Sequence, residues 1–546
     1  MKAFKKIMAL SVACFASLAL LGTPGIELHA STVTQTISVQ DVTITDSNYT
    51  DVLGDGTVSY DPDSNTLTLN NANLSGVDVI NCTSVDGSFT VNIPEGTEST
   101  ITSSTMGIIS SCQLNISGAG KLNISADWDP INSSSDISIE DTSLDLSNTL
   151  SSRFAIYSDD GAGNGGNISI SNSNIKINAT DGINTKNGDI DLTNCTLDIT
   201  TTAETGTGLY CEIGNITVTN CEGTINAQSF GMGVLGHIDI SNSDLSIVTP
   251  NDGIYVENSS LNVSNTKLNI TSGQTGIYCE GNVVIDDGSD VTISVENSGN
   301  CVYVEGMFNV LSSTFNFTGK TSSDGVISGS SILISKSTGT INAPRALSSS
   351  DATTLEASDL TITSTGSIGI NCDSFSMTKG RTEITVSSSS ESLSSSETPS
   401  LLEGVKLVKG NYNESYCLLY SAHDITWENE DGTVLKTDKN VEFGTLPSYD
   451  GSVPTKAETD DYTYTFKAWS PEISKVTGDA TYVATFNEVK KEAAPKETTP
   501  AETTSTDTTS DSTSSPDTGD NTPIAAVMIL LLISAGLGIV ITKTKP

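Results

Sequence analysis

Between about Asn65 and Val386, apolar and polar residues alternate in short runs, and the runs recur. One set reads Ile168-Ser169-Ile170, Ile190-Asp191-Leu192, Ile216-Thr217-Val218, Ile238-Asp239-Ile240 and Leu261-Asn262-Val263, with starts 22, 26, 22 and 23 residues apart. A second set follows each: Ile175-Lys176-Ile177, Leu197-Asp198-Ile199, Leu245-Ser246-Ile247 and Leu268-Asn269-Ile270. A third opens on glycine: Gly208-Leu209-Tyr210-Cys211, Gly253-Ile254-Tyr255-Val256 and Gly276-Ile277-Tyr278-Cys279. A period of two predicts strands. Three short strands per repeat, with no helical stretch between them, predict a parallel β-helix. At a coil spacing of about 4.8 Å, roughly a dozen coils would extend on the order of 60 Å.

The turn after the first strand carries its own column, Asn172, Asn194, Asn220, Asn242 and Asn265, at the same spacings as the strands. Stacked asparagines are expected to bond one another and the turn backbone as an internal ladder; a ligand-binding amide row is the alternative. Cys195 and Cys221 follow two of these asparagines on adjacent coils. A disulfide and a pair of stacked free thiols both suit that placement. Because open coils expose strand edges, residues 31–64 are expected to cap the first coil and 401–422 the last. The Ser-rich stretch 387–400 reads as a linker.

On the third strand the alternation turns Val256, Cys279 and Val304 inward, so that Tyr255 and Glu257, Tyr278 and Glu280, and Tyr303 and Glu305 share an outer face on consecutive coils. Counted backward, the tyrosine column runs through Tyr157, Asn184, Tyr210 and Leu235, and the acid column through Asp159, Lys186, Glu212 and His237. Carboxylates one coil apart repel unless solvent screens them or a cation bridges them. Glu257, Glu280 and Glu305 are therefore weak calcium candidates, oxygen ligands being those calcium takes. Tyrosines beside carboxylates also suit a polysaccharide, which offers faces to rings and hydroxyl hydrogens to acids. The competing account is a column of rings stacked for stability with solvated acids around it. The Gly- and Asp-rich segment from Asp159 to Asn167 lacks the nonapeptide spacing of calcium-binding repeats and reads as a coil insertion.

Composition narrows the function. Of 546 residues, 25 are Lys or Arg and 66 Asp or Glu, a net charge of −41 that disfavours nucleic acid. With 5% aromatics and 3 Trp, a large mixed globular core is not expected. Ten cysteines, one of them in the first thirty residues, occur without any CxxC, so a zinc or redox module is not expected and the cysteines read as small apolar fillers.

The termini carry addresses. Residues 1–30 read as a signal peptide, with Lys2, Lys5 and Lys6 before the apolar run Ile7 to Leu21 and Ala30 at the cleavage site. At the other end, Ser515-Pro516-Asp517-Thr518-Gly519 precedes the apolar stretch 524–541 and then Lys543 and Lys545. Residues 515–546 thus resemble the sortase sorting signal of Gram-positive surface proteins, with Ser where Leu is usual. The resemblance implies that Thr518 is the residue joined to peptidoglycan, that Pro516 and Gly519 are recognition residues, and that a transmembrane helix over 524–541 holds the precursor; a permanent single-span anchor is the alternative. Residues 490–514, rich in Glu, Thr, Ser, Pro and Lys, cannot form a core and read as a wall-spanning spacer.

Two further resemblances concern the body of the chain. Gly54-Asp55-Gly56-Thr57-Val58-Ser59-Tyr60, then Asn65-Thr66-Leu67-Thr68-Leu69-Asn70-Asn71-Ala72, and the repeats after them resemble the clostridial carbohydrate-binding β-helix family and, more loosely, the pectinase-like superfamily. That implies a right-handed parallel β-helix over 65–386 and binding of acidic plant-type polysaccharides, often with calcium. Residues 423–489, with Ile425-Thr426-Trp427, Asp431-Gly432, Tyr462 to Phe466, Ala468-Trp469-Ser470-Pro471 and Ala480 to Phe486, resemble the internalin-type B-repeat, a β-grasp-like unit of bacterial surface proteins. It implies a non-enzymatic stalk or adhesive module in which Trp427 and Trp469 belong to the core.

Catalysis is weakly supported. The only histidines are His29, His237 and His423, and the only arginines, Arg153, Arg345 and Arg381, lie away from the Tyr/Glu columns. Paired carboxylates, which a glycosidase needs, are abundant and therefore unspecific. The sequence points to an all-β, extracellular, wall-anchored monomer, non-catalytic, with sortase and peptidoglycan as partners and a polysaccharide or host glycan as ligand. It needs no cofactor except, in one version, calcium. A structural or host-contact surface protein without sugar specificity is the alternative, and a β-helix lyase or glycosidase a third.

Overall fold

A computed structural model of the chain describes residues 36–83, 87–163, 165–320, 322–388 and 390–492. The signal segment 1–30, Pro516, Thr518, Gly519 and the stretch 524–541 lie outside the described residues. Among the described residues, no helix is long and apolar enough to cross a membrane.

The chain is all-β and winds as a parallel β-helix of about 14 turns. Each coil contributes three strands, and each strand pairs in parallel with its counterpart one coil away. Ile168 lies opposite Ile190, then Ile216, Ile238, Leu261 and Val283, all fully buried. A single coil could not bury these side chains; stacked coils do. Each buried aliphatic removes apolar surface from water, contributing about 1.5–3 kcal/mol before the entropy of ordering is set against it. The glycine that opens the third strand follows from close approach: a Cβ at Gly253 would lie 2.4 Å from Ile270 Cγ2 and 2.5 Å from the Gly276 carbonyl.

The tight turn after the first strand explains its asparagines. Asn172, Asn194, Asn220, Asn242 and Asn265 all have left-handed backbones, with φ between 46° and 55°. Asparagine tolerates that region better than most residues. Asp141, Asp287, Ser312, Lys336, Ala357, Lys379 and Glu403 are also left-handed, φ 47° to 56°. The amides form a ladder, Asn194 Nδ2 donating to Asn172 Oδ1 at 2.9 Å, Asn220 to Asn194 at 3.1 Å and Asn265 to Asn242 at 2.8 Å. The ladder is exposed, however, and not internal as the sequence suggested. A left-handed residue sits at the apex of the bend and turns its side chain out.

The internal ladder belongs to the next inward residue. Cys221 N–H donates to Ser243 Oγ at 3.1 Å, Ser243 N–H to Thr266 Oγ1 at 3.3 Å, and Thr266 N–H to Ser289 Oγ at 3.1 Å. Ser243 Oγ–H and Thr266 Oγ1–H in turn donate to the carbonyls of Ser241 and Ser264, at 2.8 and 2.9 Å. Cys195 and Cys221 occupy this column with sulfur in place of oxygen. Cys195 N–H reaches Cys221 Sγ at 3.4 Å, and the two thiols donate to the carbonyls of Thr193 and Thr219 at 3.3 and 3.4 Å. The pair is thus two thiols, and no disulfide occurs among the described cysteines, all of which are buried.

Both ends are covered. Ile37–Val39 lies antiparallel on Ile80–Cys82, and Arg381–Thr385 is covered antiparallel by Tyr416–Tyr420. Two boundaries differ from the sequence expectation. The Ser-rich 387–400 is part of the solenoid: Leu393–Ser395 pairs in parallel with Ile370–Cys372, and Ser400–Leu402 with Ser376–Thr378. Its composition is linker-like, but the inward positions alone decide coil formation. Leu393 fills one, and Ser392 another, with its hydroxyl donating to the carbonyls of Asn411 and Tyr412 at 3.0 and 3.1 Å. Nor is there a break at 423. One strand, Tyr416–Glu428, caps the last coil and continues into the terminal sheet, antiparallel to Val434–Glu442 and parallel to Ala480–Lys490. Trp427 is the core of that sheet, packed against Trp469, Tyr482 and Tyr449 with ring centroids 4.8, 5.0 and 5.5 Å away, and its indole N–H donates to Asp438 at 2.8 Å.

A buried and a half-buried aspartate tie coils together at the start of the third strand. Asp181, 5% exposed, accepts the Thr207 N–H at 2.9 Å, and Asp252 accepts the Thr275 N–H at 2.7 Å. Burial pushes both carboxyls up, Asp181 to about 6. A folded-state pKa above the unfolded one contributes stability that is complete below about pH 4 and is lost as pH rises through about 6. Between pH 5 and pH 7 Asp181 should therefore cost the fold about 1 kcal/mol. Denaturant midpoints of Asp181→Asn are expected to fall less than wild type over that interval, and equal falls would show that this carboxyl does not titrate in the range.

Candidate functional site

The third strands place the sequence-predicted residues on one outer face. Tyr255 lies opposite Tyr278, and Tyr278 opposite Tyr303, in unbroken parallel register. Because the coils are hydrogen-bonded at strand spacing, the rings are forced to stacking distance. Tyr255 and Tyr278 have centroids 4.9 Å apart and planes 8° apart; Tyr278 and Tyr303 are 5.2 Å and 11° apart. Val256, Cys279 and Val304 beside them point inward and are fully buried.

Backward along the column, Tyr255 is opposite Gly233, which is opposite Tyr210, then Asn184 and Tyr157. Gly233 therefore occupies the rung expected for Leu235, and Leu235 stands two residues on, at the rung expected for His237. The pattern Gly231-Met232-Gly233-Val234 repeats Gly253-Ile254-Tyr255-Val256, and that signal could have fixed the register. The missing ring is supplied from the turn: Phe230 stacks on Tyr255 at 4.9 Å. A Cβ at Gly233 would lie 3.0 Å from the Tyr210 ring and 3.5 Å from that of Phe230. Sequence reasoning did not single out Phe230. His237 instead pairs with Asp239, at 3.3 Å.

The acid column divides in two. At its N-terminal end the acids are engaged: Asp159 accepts from Tyr157 Oη at 2.8 Å and from the N–H groups of Gly161 and Gly163 in its own loop, and Glu212 pairs with Lys186. Among the described residues, no ion pair reaches Glu257, Glu280 or Glu305. Glu280 accepts the Asn258 N–H at 3.0 Å and stands 3.5 Å from Tyr278 Oη, the outer limit for a hydrogen bond. Burial among neighbouring rings, then Glu280, pushes Tyr278 up to about 12; burial, then Glu257, also raises Tyr255. The phenols of Tyr278 and Tyr255 thus remain O–H donors at any physiological pH.

This geometry changes what the strip can do. Aromatic recognition of a sugar uses ring faces, and here the faces of Tyr255 and Tyr278 cover one another. The strip presents ring edges, phenol donors and carboxylate acceptors, repeated at each coil. Nor do Glu257, Glu280 and Glu305 close around a point. They form a row, and no cluster of three or more His, Cys, Asp or Glu residues able to hold a metal ion occurs among the described residues.

Two of the concave regions on the solenoid adjoin these columns. One of about 620 Å³ follows the asparagine column from Asn194 to Asn265, walled by Glu222, Asp244, Lys267 and Asp290. The other, of about 550 Å³, begins where the tyrosine column ends, at Tyr303.

Stacked aromatic pairs contribute about 0.5–1.5 kcal/mol each beyond the area they bury. Tyr278→Ala breaks two of them, so its thermal or denaturant midpoint should correspond to a loss of about 1–3 kcal/mol, with Tyr278→Phe close to wild type. If both variants melt with wild type, the ladder is not a stabilising element. The chain matches no protein-family model, no curated protein and no solved structure.

Proposed function

We propose that this chain is a non-catalytic cell-surface protein, exported, joined to peptidoglycan by a sortase through Thr518, and binding carbohydrate along the third-strand face of its solenoid. One arrangement supports the binding reading above the rest: phenol donors at Tyr255, Tyr278 and Tyr303 alternate with carboxylate acceptors at Glu257, Glu280 and Glu305 over consecutive coils, with no ion pair to the three acids among the described residues. A polyol meets such a row with matching acceptors and donors. The carboxylates bind as hydrogen-bond acceptors, and calcium is not part of the proposal.

The three arginines support the non-catalytic side. Arg153 is held by Asp129, Arg345 by Asp324, and Arg381 by Asp359, Glu383 and Glu442. A β-helix lyase needs a basic group free to act on its substrate. The stacking of the ring faces favours a second reading, a surface protein without sugar specificity whose ladder is purely structural.

A glycan array with the full chain, read with and without calcium, separates the two. Wild type is expected to give glycan signals insensitive to calcium, and the triple substitution Glu257→Gln, Glu280→Gln, Glu305→Gln to weaken them at least fivefold. Silence across the array establishes the second reading. The anchoring arm has its own check in a Gram-positive host: wild type should leave the wall only after muramidase digestion, whereas Thr518→Ala should come off with detergent alone. Identical release of the two would remove the sortase step.

A further inference from the structure

The ring column stops abruptly. Tyr278 covers one face of Tyr303, and on the other side the in-register residues are Ile327, Ser348, Asn371 and Ser394. Among the described residues, no second ring stacks on Tyr303 from that side. The outer surface therefore drops from the height of a phenol to that of an isoleucine and then of serine and asparagine. The step leaves a notch of about 550 Å³, with Tyr303 and Ile327 at one end, Ser348, Asn371 and Ser394 along the floor, and Asp373 at the rim. Its size lies in the range of about 300–1,000 Å³ typical of small-ligand sites.

The chemistry of the notch is specific. Tyr303 is the ring of the stack whose second neighbour in the column is aliphatic, Ile327, and these two side chains give the notch its apolar end. The floor offers hydroxyl and amide groups, of which Asn371 Nδ2 and Ser348 Oγ are only loosely bonded to each other, at 3.5 Å. Asp373 has one carboxylate oxygen taken by Ser396 Oγ at 3.1 Å and accepts hydrogen bonds readily. No Lys or Arg lines the cavity. With a net charge of −41 and a carboxylate at the rim, the notch repels an anionic ligand.

We infer that this notch is the anchoring subsite for a neutral, hydroxyl-rich oligosaccharide, one sugar ring lying against the apolar end formed by Tyr303 and Ile327 and its hydroxyls on Asn371, Ser348 and Asp373, with the rest of the chain running along the Tyr/Glu strip. The inference rests on the carbohydrate-binding reading above and departs from the acidic polysaccharide that the sequence resemblance implies.

The test uses Ile327→Tyr, which extends the ring stack by one rung and fills the notch while preserving the coil. Titration calorimetry of the full chain would use cellohexaose, mannohexaose and a galacturonate hexamer as probes, with circular dichroism melting to confirm that the variant folds. The expected result is binding of at least one neutral hexamer and none of the galacturonate. Ile327→Tyr should then lose affinity at least tenfold with an unchanged or raised melting midpoint, and Asn371→Ala should lose it several-fold. Galacturonate as the preferred ligand, or neutral binding untouched by Ile327→Tyr and abolished by the triple Glu→Gln variant, overturns the notch and leaves the strip. No binding of any probe, together with a silent array, overturns the carbohydrate reading itself.

Discussion

Backbone pairing between coils is the constraint on which the rest of this structure depends. Once strand hydrogen bonds fix one coil above the next, every outward or inward position becomes a column, and like side chains in a column are held at about the strand spacing whether or not they attract. Isoleucines so held form a core. Serines, threonines and two cysteines so held form a hydrogen-bonded rail inside the turn. Tyrosines so held stack, and glutamates so held face one another across a gap they did not choose.

The same constraint explains why small side chains at fixed positions matter as much as large ones. Glycine opens the third strand because an Ile methyl and a backbone carbonyl, both of the next coil, leave no room for a Cβ. Gly233 leaves the space into which Phe230 leans, so Tyr255 is stacked on both sides although the rung before it has no aromatic of its own. At the other end the substitution of Ile327, Ser348 and Asn371 for rings converts a smooth face into a step. The concavity beside Tyr303 is produced by what the column lacks, with no insertion or loop needed to build it.

Cys195 and Cys221 are explained by the rail. Cys195 and Cys221 make the same two contacts as serine at that position: accepting an N–H from one side or passing one on, and donating to the carbonyl two residues back. Sulfur is a weak partner, but the site is buried and the geometry is imposed by the coils, so a weak hydrogen bond suffices where none would leave an N–H unpaired.

The sequence by itself determined the winding, the strand alternation, the glycine positions and the register of the last three Tyr/Glu rungs, because each of these is a local periodicity repeated often enough to be counted. It misplaced one rung at Leu235, where a turn of different length shifted the count, and it mistook 387–400 for a linker, where composition masked the few inward positions that matter. Only the tertiary structure decided which way the asparagine column faces, which residues form the internal rail, that the tyrosine faces are covered by one another, and that a notch opens where the ring stack ends at Tyr303. Those are properties of neighbours some twenty residues away in the chain and one strand away in space, and a linear pattern carries the spacing of such neighbours without carrying the direction in which they point.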